Sequence, residues 1–226
     1  MSSHYLLKIT LADTHYPIWR RFVVPADITL DQLHEVVQAV MGWHNSHMHA
    51  FFVGKQQYVS AMTIACGYSD DDMLPENEYV LKSLVSKKGG KIRYWYDFGD
   101  DWMHEIVVEN VNYDGADLPS AVYCLEGAGT CPPEDCGGPF GFVDFCEALA
   151  DPNHPEHDDL KEWYGGKFNP DRFDLKAVNS KFVLKRPAKK TAKKTAKKAA
   201  KKTTKKTTKK AAKKMWVFVG KPGEKK

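Results

Sequence analysis

Asp97, Asp100, Asp101, His104 and Glu105 place four carboxylates and an imidazole within nine residues. That combination suits general acid–base chemistry or a divalent cation. A tight turn draws on the same residue types, so a hairpin tip accounts for the composition equally well. Strand alternation would send Asp97 and His104 from fixed faces and leave Asp100 and Asp101 on the turn. A second set of potential ligands is Cys124, Cys131 and Cys136, spaced C-x6-C-x4-C, with His154 and His157 further on. His44, His47 and His49 form a third set. Either could supply zinc ligands, most simply Cys124 and Cys131 with a histidine from elsewhere in the fold. Neither has the paired spacing of a finger or ribbon, and buried thiols with surface histidines explain both. Zinc apart, nothing in the pattern calls for a cofactor.

The largest chemical signal is electrostatic. Up to Leu184 the chain has 14 Lys and Arg against 28 Asp and Glu, a net charge of −14. From Lys185 onward it has 19 basic residues against Glu224 alone, a net of +18. Lysine pairs recur every four residues as Lys189, Lys190, Lys193, Lys194, Lys197, Lys198, Lys201, Lys202, Lys205, Lys206, Lys209, Lys210, Lys213 and Lys214, separated by Ala and Thr. Like charges four apart destabilise a helix, and no apolar face exists to pack, so residues 185–214 read as a disordered basic tail. Such an array displaces counterions from phosphates and holds DNA or RNA without reading sequence, since it lacks Arg, Asn and aromatic side chains. A solubilising tail, or one that folds back on the acidic part, is the alternative. Residues 215–226 form a short apolar-basic terminus that could add a strand to an exposed edge.

The remaining pattern describes the elements that would carry these groups. Tyr5–Leu11 and Ile18–Val24 read as paired strands. Thr29 with Gln32 forms a capping box before Leu30, Leu33, Val36, Val37, Val40 and Met41 on one helical face, and Gly42 ends that helix. His49–Val53 and Gln57–Ser60 read as short strands, and Gly67–Glu78 as a solvated loop. Ile92, Tyr94, Tyr96 and Phe98 alternate with Arg93, Trp95 and Asp97 and lead into Trp102–Val111, a hairpin in which Gly99 would supply positive φ. After the Pro- and Gly-rich stretch from Cys131 to Pro139, three helices are expected, with Pro155 and Pro170 in first turns and Gly165 as a cap. Trp19, Trp43, Trp95, Trp102 and Trp163 are expected to pack in the core or hairpin. The order argues an α+β fold, a single globular domain over residues 1–184 with a mixed or antiparallel sheet and several helices.

The start of the chain lacks the basic and apolar regions of a secretory signal, and no apolar run approaches a membrane span. With five cysteines, an odd number, reduced thiols and a cytoplasmic or nucleoid-associated location are expected.

Several segments, Tyr16-Pro17-Ile18-Trp19-Arg20-Arg21, Gly42-Trp43, Tyr96 through His104, Cys131 through Pro139, Asp151 through His157 and Phe173-Asp174-Leu175, together resemble the plasmid pRiA4b ORF-3-like family. The resemblance runs from about Tyr5 to Asn179. It implies a bacterial protein, often carried on mobile elements, and assigns no activity. Some members bear a resolvase label, but no recombinase serine or tyrosine constellation is evident here. The lysine array lies outside the family pattern and resembles linker-histone-like tails. Cys136 stands where relatives usually have an aliphatic residue.

These observations favour a non-enzymatic accessory protein whose acidic domain binds a protein partner while the tail tethers it to nucleic acid. A metal-dependent enzyme on nucleic acid, using the Asp97–Glu105 hairpin, is the alternative of another class. A plain interaction module with a solubilising tail is the third.

Overall fold

The computed structural model describes residues 3–67 and 72–182, so the lysine tail and the terminus after it lie outside the described residues. Eight strands form one mixed sheet: β1 (His4–Leu11), β2 (Trp19–Pro25), β3 (His49–Val53), β4 (Gln56–Val59), β5 (Leu74–Pro75), β6 (Lys91–Tyr96), β7 (Trp102–Tyr113) and β8 (Tyr123–Ala128). Their spatial order is β5-β4-β3-β6-β7-β1-β2-β8, with β4–β5 parallel and every other pairing antiparallel. The helices are α1 (Leu30–Met41), α2 (Ala61–Ala65), α3 (Leu81–Leu84), α4 (Gly138–Ala150), α5 (His157–Tyr164) and α6 (Leu175–Ser180). The fold class is therefore α+β.

Alternation makes the sheet two-faced. One face carries Leu7, Ile9, Phe22, Phe51, Tyr94, Trp102, Ile106 and Cys124, all fully buried. The capping box at Thr29 starts α1, with the Thr29 amide donating to Gln32 Oε1 at 3.3 Å, and Gly42 stops it in the left-handed region at φ 116°. The apolar side of α1 and Phe142 and Phe145 of α4 join the same core. The other face carries half-exposed Lys8, Trp19, Arg21 and Phe52, with exposed Arg93, so Trp19 is not a core residue, whereas Trp95 packs within the hairpin against Phe98 at 4.3 Å. Lys8 lies 4.9 Å from the centre of the Trp19 ring.

A buried arginine fastens α1 to the sheet. Arg20 is 2% exposed, and its guanidinium donates to the carbonyls of Val40 and Met41 at the C-terminus of α1 and of Trp19, Ala128 and Gly129 in and after the strands. Phe173 stacks on it at 4.4 Å. At the free edge of the sheet, Asn179 of α6 exchanges two 2.8 Å hydrogen bonds with the backbone of Cys124, occupying groups that would otherwise template another strand.

Several local expectations change. Gly67–Glu78 is not simply a solvated loop: Leu74–Pro75 pairs with β4, and Glu76 is buried 2.8 Å from His49 Nε2. Gly99 does not carry the turn's positive φ, which falls on Asp97 (φ 57°) and Asp101 (φ 59°). Pro155 precedes the N-cap of α5, and Pro170 stands well before α6. Gly165 does cap α5, at φ 81°.

Candidate metal centre

Pairing of β3 with β6 sets His49 opposite Tyr96, which brings the segment before β3 alongside the turn after β6. The Asp97 amide donates to Met48 O at 2.9 Å, joining the two. Asp97 enters the left-handed region, which Asp tolerates, and its Oδ1 accepts from the amides of Gly99 (2.9 Å) and Asp100 (3.3 Å). Its other oxygen, Oδ2, is left facing His47 Nδ1 at 3.4 Å.

The Pro- and Gly-rich segment supplies the third wall. Asp100 Oδ2 accepts from the Gly137 amide at 3.1 Å, and a Cβ on Gly138 would stand 2.4 Å from the Asp100 carbonyl oxygen, so only glycine lets the strands of backbone approach this closely. Glu134 is anchored by the His44 amide (2.7 Å) and by the Tyr96 hydroxyl, which donates at 3.0 Å. Neighbouring Asp135 puts Oδ1 3.3 Å from His47 Nε2, with Glu134 Oε2 at 3.7 Å.

The result is an imidazole from the segment before β3 clamped between carboxylates from two other segments. Donor atoms of His47, Asp97 and Asp135 all lie within 4.8 Å of one another, and no other group of three potential ligands meets that condition among the described residues. Asp97 is buried, His47 is partly covered, and Asp135 is largely exposed, so the cluster opens to solvent on one side. His47 Nε2 is itself shielded from solvent and has no hydrogen-bond partner. Imidazole with carboxylates is a borderline donor set suited to Mn²⁺, Fe²⁺ or Zn²⁺.

The other sequence candidates are placed elsewhere. His104 faces the core, not the turn: it is 1% exposed, Nδ1 lies 3.1 Å from Trp102 O, and Nε2 receives the Trp43 indole N–H at 3.4 Å. Burial drives its pKa down to about 4. Glu105 pairs with Lys91 on the open face, and Asp101 is exposed at the turn. His49 is buried against Glu76 and stacks on His34 with ring centres 3.4 Å apart. His157 is bound to Ala148 O at 2.8 Å. Cys124, Cys131 and Cys136 do not meet a histidine in a ligand cluster, and burial raises all three thiols, Cys124 to about 11 and Cys136 to about 12. A raised thiol opposes the thiolate that zinc needs.

Asp135 was missed by sequence reading. The available signal was an acidic pair, Glu134-Asp135, bracketed by Pro132-Pro133 and Gly137-Gly138, where backbone constraints hold side chains at a fixed spot. Tyr96–Asp101, Gly42–Trp43 and Cys131–Pro139, which carry the family resemblance, converge here.

The chain is 40% identical over 182 residues to uncharacterized protein y4hQ of Sinorhizobium fredii, covering 76% of this chain and 84% of that protein. It also superposes on the crystal structure of a protein of unknown function, MM3350 of Methanosarcina mazei, with a TM-score of 0.67 and 30% identity over 78% of this chain and 97% of the other. The family described as plasmid pRiA4b ORF-3-like protein matches residues 3–177, and this chain belongs to that family.

Proposed function

We propose that the protein is a cation-dependent, nucleic-acid-associated accessory protein. His47, Asp97 and Asp135 hold a divalent cation, and the lysine array holds the polyanion. The observation that supports this reading most is the convergence of those three side chains from three segments. Three protein donors leave coordination positions for outside oxygens, and phosphate oxygens suit them. A domain of net charge −14 repels nucleic acid, and a cation at its surface reverses the local field where contact is needed. A non-enzymatic role is preferred to catalysis because the hairpin contributes only Asp97 to the centre, with His104 committed to the core.

Fluorescence anisotropy of labelled duplex DNA with the intact chain tests the reading. Binding should weaken steeply with salt, each neutralised phosphate adding about 0.9 to the logarithmic slope. Mn²⁺ should tighten binding about tenfold over EDTA in the intact protein, a gain of about 1.4 kcal/mol, and should leave His47→Ala unchanged. Equal response of both proteins to Mn²⁺, or none by either, would contradict the proposal.

A further inference from the structure

Beside the cation centre, and sharing Asp135 with it, an open cavity of about 300 Å³ lies between α4, α5 and the Pro- and Gly-rich segment. Its wall is apolar, formed by Phe145, Leu160 and Trp163, and its rim carries Asp135, Asp144 and Glu156. Trp163 is 51% exposed, far more than a core tryptophan, and rests edge-on against Phe145 at 5.8 Å. Among the described residues, Asp144 and Glu156 have no cationic partner, and Asp135 has only His47.

We infer that this groove is a docking site for a lysine-bearing segment of a partner protein. An apolar wall with an exposed indole fits the aliphatic stem of lysine, and the indole face attracts its ammonium. Unpaired carboxylates on the rim complete the match and exclude polyanions. A bare metal ion would use the carboxylates but gain nothing from Trp163, Leu160 or Phe145. Asp135 borders both sites, and the inference rests on Asp144, Glu156 and Trp163, which take no part in that centre.

The test is anisotropy of a fluorescent synthetic peptide of repeated Ala-Lys-Lys-Thr, titrated with the intact chain in EDTA. The groove variant Asp144→Asn/Glu156→Gln should weaken binding about tenfold through lost ion pairing in a partly desolvated site. Trp163→Leu, which keeps the charge, should weaken it about fivefold. Asp114→Asn/Asp117→Asn, the same charge change on the loop after β7, should alter it less than about twofold, as expected for screened distant charges. Circular dichroism confirms that each variant is folded. Equal loss in the control and groove variants would reduce the effect to overall charge and overturn the inference. So would an unaffected Trp163→Leu, or no binding by the intact chain, whether the groove is idle or occupied by the chain's own lysines. Because EDTA is present throughout, failure here is distinct from failure of the cation centre.

Discussion

Arg20→Met is expected to lower stability by about 3–5 kcal/mol, because several buried carbonyls lose their donors at about 1–3 kcal/mol each. The reason lies in what the guanidinium satisfies. Its five N–H groups meet five carbonyls, two at the C-terminus of α1 and three from β2 and the end of β8, with no carboxylate among them. Burial lowers its pKa, yet guanidinium stays charged at any ordinary pH. A cation at a helix C-terminus also opposes the negative end of the helix dipole. Methionine fills much of the volume but leaves the carbonyls desolvated and unpaired. Gly127 marks the tightness of the fit, because a Cβ there would sit 2.8 Å from Arg20 Cδ. Arg20→Lys should recover only part of the loss, since an ammonium cannot reproduce the planar fork. Urea denaturation at neutral pH measures both, and a loss below about 1 kcal/mol for Arg20→Met would refute the fastening role.

Acid should destabilise the domain well above the pH at which surface carboxylates protonate. His34 and His104 are both held neutral by burial, each lowered from 6.5 to about 4. Between those values the unfolded chain binds protons that the folded chain does not, so their contribution is intact above pH 6.5 and is lost as pH falls toward 4. His49 is lowered to about 4 as well, but its partner Glu76 is raised to about 7 by burial. Glu76 therefore favours the folded state as pH falls, and the two members of that pair largely offset each other. At about 1.4 kcal/mol per unit, His34 and His104 together account for a loss on the order of 6–7 kcal/mol. Urea midpoints measured from pH 7 to pH 4 should fall steadily through this window. A flat profile would show that these imidazoles are not held neutral.

What the sequence made legible was local. The capping box at Thr29, the left-handed Gly42, the alternation of β6 and the cap at Gly165 each depend on residues within a few positions, and each stands as read. The hairpin was legible, but not which of its residues would meet His47 and Asp135. Asp97 and Asp101, rather than Gly99, took the left-handed positions because the Asp97 carboxylate caps the turn's own amides. His104 and Asp97 looked equivalent by composition, yet they leave the sheet on different terms: one lies beneath Trp43, the other on the loop side. The centre joins residues 47, 97 and 135, and only the β3–β6 pairing and the close passage at Gly138 bring them together. Glu76 was hidden for the same reason, being an acid in an acidic stretch whose burial follows from its tertiary partner His49.

Isothermal titration of the intact, chelator-treated protein with Mn²⁺ tests the central claim most directly, alongside His47→Ala and Asp135→Asn. One ion per chain is expected for the intact protein, with affinity lowered at least about tenfold in each variant, as befits loss of a direct ligand. Both positions lie outside the core, so the variants should retain the urea midpoint of the intact chain to within about 0.5 kcal/mol. Undiminished Mn²⁺ binding by either variant, or no binding by the intact chain, would contradict the assignment of a cation to His47, Asp97 and Asp135.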